Sequence, residues 1–244
     1  MFFDPLYFLF VGPAMLLAMW AQWRVKSAYA TGLKMPAASG LSGAETADMI
    51  LKAHNINDVR IEPVQGYLSD HYDPKSKTLR LSPDNYSGHS VAALGIAAHE
   101  AGHAVQHAVG YAPLVIRNGI VPLTAVAPFG IFLMIGGMIM GGAAGAAKGG
   151  MGEIGYWLII AGIAAFGIIA LFQLINLPVE FDASNRAKKL LASANLVQPG
   201  AEATAMNNVL NAAAWTYVAA TLGAVMTVLY YLLQSGLLGG RRNE

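Results

Sequence analysis

The chain has no cysteine, so it has no disulfides and no thiolate metal ligands. Charge is nearly as scarce. Only 12% of its 244 residues are Asp, Glu, Lys or Arg, against about 25% in an ordinary soluble domain. The formal net charge is +1, so no basic field marks nucleic acid as a partner. What fills the chain instead is apolar, at 55% of residues, and the missing charge is missing in blocks. Residues 5–23, 118–147, 154–179 and 203–240 contain no Asp, Glu, Lys or Arg. Each block can hold the roughly 20 apolar residues that a helix needs to cross a bilayer. The first begins beside Asp4 instead of a basic cluster and carries Trp20 and Trp23 where a cleavage site would need small residues, which predicts an uncleaved anchor.

The sequence therefore predicts a mainly α membrane protein with about four transmembrane helices. The expected spans are 5–23, 118–143, 154–178 and 215–240, with a Gly/Ala-rich connection over 144–153. Polar segments at 24–117 and 179–214 lie two crossings apart and so share one membrane face. Near the spans that face carries Arg24, Lys26, Lys34, Arg117, Arg186, Lys188 and Lys189; the other has Lys148, Arg241 and Arg242. The excess of Lys and Arg predicts that both polar segments are cytoplasmic.

Within the first polar segment, Ser42 and Glu45 have the form of a capping box opening a helix to about Ala53. Alternation around Val59 and Ile61 predicts a short strand. Residues 67–72 and 77–82, joined by Asp73-Pro74-Lys75-Ser76, predict a β-hairpin whose second strand is a candidate edge for an extended peptide. A second capping signal at 87–90 opens a helix that runs to Val109, where Gly110 stops it.

That second helix carries His99-Glu100-Ala101-Gly102-His103. Histidines four apart lie one turn apart on the same helix face, so two imidazole nitrogens can hold one zinc ion. Glu100 is then placed to take a proton from a water that zinc activates. The alternative is two histidines decorating an ordinary helix. A catalytic zinc needs a third protein ligand and an open position. Val109 stands where the metzincin extension would require histidine, and His107 lies about two turns beyond His99. His107 fits a helix-end or supporting role better than a ligand role. Glu153 falls on the opposite face. Glu180 and Asp182 remain, and spacing alone leaves Glu180 equally open to being a first-turn acid at a helix N-terminus.

The run from His99 to His107, Gly110-Tyr111-Ala112-Pro113-Leu114, Asp70-His71-Tyr72-Asp73-Pro74 and Leu177-Pro178-Val179-Glu180-Phe181 together resemble the YugP-like membrane zinc metallopeptidases of bacteria. The resemblance covers nearly the whole chain and implies a zincin-like catalytic part with one zinc ion per chain in a bacterial cytoplasmic membrane. Residues Glu180-Phe181-Asp182-Ala183-Ser184 are also similar to the E-x-x-A-D element of the HtpX and CAAX prenyl protease families. Their leading glutamate is a zinc ligand, which implies Glu180 beside His99 and His103. Ser184 departs from the aspartate of those families, so a supporting carboxylate is not carried over.

The expected function is hydrolysis of peptide bonds in protein or peptide substrates, membrane proteins among them, with Glu100 as general base. A zinc-binding membrane scaffold without proteolysis is the alternative, and an intact Glu100 argues against it. A transporter would commonly place ionisable groups within its spans, and none of the four has one. Tyr217, His71 and Arg186 are candidate donors to the oxyanion, with no order among them. Trp215 and Tyr217 also read as an interfacial aromatic pair.

Overall fold

A computed structural model of the chain describes residues 4–142 and 150–235. It is mainly helical with one small sheet. Most of the predicted connection over 144–153 lies outside the described residues, as do Lys148, Arg241 and Arg242.

Among the described residues, three helices are long and apolar enough to cross a membrane: α1 (Pro5–Leu33), α7 (Gly150–Ser193) and α8 (Ala201–Gln234). Between the first two of these, α5 (Ala112–Thr124) and α6 (Ala127–Ile139) pass the same test only as a pair, bent by 47° at their junction. Pro122 lies inside α5, and Pro128 in the first turn of α6. Proline has no N–H to continue the ladder, and its ring clashes with the preceding turn, which accounts for the bend. Leu16 on α1 is 68% exposed and Ile139 on α6 is 82% exposed. Apolar side chains left outside in this number fit a lipid surface rather than water.

The chain divides into two compact units. The first comprises Met1–Met19, Ile116–Asn176 and Val218–Glu244. Its helices approach closely where side chains are missing: a Cβ on Gly130 would lie 2.9 Å from the Gly162 carbonyl oxygen. Small residues at such crossings are how apolar helices pack without a hydrophobic drive between them.

The second unit, Trp20–Val115 with Leu177–Tyr217, holds the polar elements. Helix α2 (Gly43–Ala53) opens on Ser42, with the full capping box to Glu45 in place. It buries Ala47, Ile50 and Leu51, as its apolar spacing predicts. Strands β1 (Arg60–Pro63), β2 (His71–Asp73) and β3 (Thr78–Leu81) form a sheet in the order β1-β3-β2. The hairpin is β2-β3, antiparallel with Tyr72 opposite Leu79, and β1 pairs in parallel on the far side of β3. The strand expected to be an edge is thus the central one. Leu79 and Leu81 are fully buried, and β3 has no free backbone to offer a peptide. A short turn of helix, α3 (Pro83–Tyr86), leads to α4 (Val91–Ala108), which is capped by Ser90 and ends before Gly110 at φ +63°.

Helix α4 is the core of this unit. Val91, Leu94, Ala97, Ala98, Ala101 and Ala104 are all buried, packed with Leu79, Leu191 and Leu210 in one cluster. Its small residues bring neighbouring backbone close. A Cβ on Gly102 would stand 3.0 Å from the carbonyl oxygen of Ala183, on α7.

Candidate active site

His99, Glu100 and His103 lie in the middle of α4, so rigid helix sets their directions. The imidazole rings of His99 and His103 sit 4.8 Å apart at an interplanar angle of 84°. Facing them from α7 is Glu180, whose Oε2 is 3.3 Å from His99 Nε2 and 3.5 Å from His103 Nε2. One candidate ligand atom from each of these three residues lies within 4.8 Å of the others. Their side chains are 12%, 10% and 6% exposed respectively.

Glu180 stands deep inside α7, so it is not a first-turn acid stabilised by a helix N-terminus. The helix runs unbroken through Pro178 and carries Glu180 and Ser184 on one side, one turn apart, and Asp182 and Arg186 on another, also one turn apart. Gly102 makes this approach close enough for Glu180 to meet both histidines.

Two neighbours orient the imidazoles. His103 Nδ1 lies 3.0 Å from Gln106 Oε1. The Nε2 of Gln106 donates to the Val179 carbonyl and to Asp182 Oδ2, both at 2.8 Å. Both of those partners only accept, so the amide cannot be turned around, and its oxygen must receive Nδ1–H. That leaves Nε2, the nitrogen facing Glu180, as the one that binds a metal once its proton is displaced. Arg186 completes the chain by donating from Nε to Asp182 at 2.5 Å. Gln106 is fully buried and was not singled out by the sequence. Its position three residues after His103, on the same helix face, was the available signal.

Ser184 Oγ lies 3.1 Å from His99 Nδ1. Serine therefore occupies the place where the more distant families carry aspartate, as a neutral partner that can either donate or accept. It supports the ring without dictating which nitrogen holds the proton.

The electrostatics of these side chains follow from this crowding. Burial pushes the Glu100 carboxyl above its ordinary value; Glu180 and Asp70 add to the rise, and the two histidines oppose it. Burial alone would depress His103, but the hydrogen bond and charge of Glu180, with Glu100 and Gln106, outweigh it and raise the group. For Glu180 burial acts upward, and the hydrogen bonds from His103 and His99 overcome it, leaving the carboxyl far below its ordinary range.

The other candidates are elsewhere. His107 is in the last turn of α4 with Nδ1 2.9 Å from the Tyr72 hydroxyl, a helix-end role apart from the three-residue cluster. Asp182 is engaged by Gln106 and Arg186. His71 is exposed against the Ser69 carbonyl, and Arg186 is paired with Asp182. Of the three candidate oxyanion donors, Tyr217 alone lines the same cavity as His99 and Glu100.

Residues 7–236 match the family described as "Putative neutral zinc metallopeptidase". The chain belongs to this family. It is also 42% identical over 231 residues to "Putative membrane protease YugP" of Bacillus subtilis (strain 168), covering 93% of this chain and 95% of that protein. No solved structure matches the chain. Family membership implies zinc, and the donor set fits it: two imidazoles and one carboxylate are the ligands of a catalytic zinc site, which leaves the fourth position open.

Proposed function

We propose that this member of the zinc metallopeptidase family is a membrane-embedded endopeptidase in which His99, His103 and Glu180 hold one zinc ion per chain and Glu100 is the general base. The observation that carries the reading is the meeting of three ligand atoms, from two helices, within 4.8 Å of one another beside a buried glutamate.

When bound, zinc activates a water and polarises the scissile carbonyl. The protein's own part is to hold and move the proton. Glu100 takes it from the attacking water and delivers it to the departing amine nitrogen. Burial favours this, because a carboxyl held above its ordinary value is a stronger base near neutrality. Gln106 and Ser184 keep the imidazoles aimed, and Arg186 holds Asp182 in its place beneath Gln106.

The same reading extends to topology. Four spans follow if the bent pair α5–α6 counts as one crossing. The excess of basic residues near the spans favours the cytoplasmic face of the bacterial inner membrane for the site. Substrates are protein chains, and the membrane setting together with the name of the Bacillus relative favours membrane proteins among them.

The test compares zinc-loaded wild type with Glu100→Gln, on casein and on a detergent-solubilised membrane protein. Cleavage by the wild type that disappears in a variant with undiminished zinc supports the assignment. Equal cleavage by both removes Glu100 from the chemistry, and no cleavage by zinc-loaded wild type favours a zinc-binding scaffold.

A further inference from the structure

A cavity of about 310 Å³ opens beside His99 and Glu100. We propose that it is a subsite for one bulky, uncharged apolar side chain of the substrate, next to the scissile bond. The inference rests on the peptidase reading and adds the class of residue that the enzyme selects.

Its wall is drawn from four separate segments and carries an apolar side, Val25 from α1, Leu68 from the loop before β2, Ile96 from α4, and Val209, Leu210 and Ala213 from α8, with Gln22 and Thr216 as uncharged polar neighbours. The volume is ample for a leucine or phenylalanine side chain, and burying such a group from water is favourable in proportion to its apolar area. Because His99 and Glu100 line the same cavity, a side chain seated there belongs to a residue flanking the bond under attack.

Charge narrows the choice. Asp70 and Glu100 line the cavity, and no lysine or arginine does among the described residues. An acidic side chain would meet two carboxylates and neither a lysine nor an arginine. A basic one would find Asp70 already engaged: it accepts from the Ser82 backbone N–H at 2.7 Å, from the Ser82 hydroxyl at 3.1 Å and from Asn85 Nδ2 at 2.9 Å. Asn85 in turn accepts from the Tyr29 hydroxyl at 3.0 Å. This closed network joins α1, α3 and the loop before β2, so one end of the cavity is fixed rather than adaptable.

Leu68 is a second, independent sign. Its φ is +52°, in the left-handed region that disfavours a side chain with a Cβ. The loop holds it there because its side chain packs against Tyr29, Ala92 and Val209. Backbone strain is thus accepted in order to place an apolar side chain on the cavity lip.

The experiment uses the full-length, zinc-loaded protein in detergent and a series of peptide hydroxamates that differ in one side chain: leucine, phenylalanine, alanine, lysine or glutamate. The structure predicts that the leucine and phenylalanine members bind roughly tenfold or more tightly than alanine, with glutamate weakest. Ala213→Phe, which intrudes on the cavity, should remove that advantage and bring the leucine and phenylalanine members down to the alanine member, with zinc content measured alongside to show that the metal site is intact. Leu68→Ala, which widens the lip, should reduce the preference for leucine. Equal affinities across the series, or a preference untouched by both variants, would overturn the subsite. A graded series with no cleavage of the matching peptides would support the subsite and count against peptidase activity. A wild type that holds no zinc would overturn both.

Discussion

The amide oxygen of Gln106 lies 3.0 Å from Nδ1 of His103, and the amide nitrogen is spent on Val179 and Asp182. A fully buried glutamine thereby decides which imidazole nitrogen of His103 is left to bind metal. Replacing it with leucine removes that decision, takes one donor each from the Val179 carbonyl and from Asp182, which keeps Arg186, and leaves His103 Nδ1 without its acceptor. Gln106→Leu should weaken zinc binding about 10- to 100-fold. The metal-free protein should also lose about 1–3 kcal/mol, because the buried Nδ1 of His103 is left unsatisfied. Competition against a chelator and thermal unfolding with and without zinc would separate the two effects.

Ser184→Ala removes a neutral partner of His99 that does not fix the proton's position. The loss in zinc affinity should be smaller than for Gln106→Leu, about tenfold or less. A loss equal to that of Gln106→Leu would show that the hydroxyl has a larger part than its geometry suggests.

Gly102→Ala tests the approach of α7 to the metal-binding helix. The added methyl would meet the Ala183 carbonyl oxygen at 3.0 Å and press the helix carrying Glu180 away from both histidines. Expected are a destabilisation of about 1–3 kcal/mol and weaker zinc binding, although no ligand is altered. Unfolding midpoints and chelator competition report both.

Acidity should act on the metal-free site in two directions. The Glu180 carboxyl is depressed below its ordinary 4.5, so its stabilisation is present above that value and is lost as pH falls through the folded value. His103 is raised above its ordinary 6.5, so its contribution is full below 6.5 and is lost as pH rises through the folded value. The pairing is therefore strongest between about 4.5 and 6.5. Zinc must displace the proton from His103, so zinc affinity should instead climb with pH through and above 6.5. Calorimetry in buffers of different ionisation enthalpy would detect the released proton.

Much of this site was legible in the chain. The four-residue spacing of His99 and His103 fixes a shared helix face, and the cap at Ser90 places that face on α4. The capping box at Ser42 and the hairpin turn after Asp73 are equally local signals, and both elements form. What escaped depends on pairings distant in sequence. Nothing in Arg60–Pro63 says that it will join β3 from the far side and make that strand central. The continuation of α7 through Pro178 was hidden by the usual reading of proline as a breaker. For that reason Glu180 could be taken for a first-turn acid until family resemblance singled it out. Gln106 lay in plain view, but its role needs Val179 and Asp182, more than seventy residues away, to pin its amide.

The central claim is that His99, His103 and Glu180 form one zinc site, and elemental analysis of the detergent-purified protein tests it most directly. Wild type should carry about one zinc per chain, and folded Glu180→Ala should carry little or none after dialysis against a weak chelator. Zinc retained in full by Glu180→Ala, or absent from wild type even after zinc is supplied, would contradict the account.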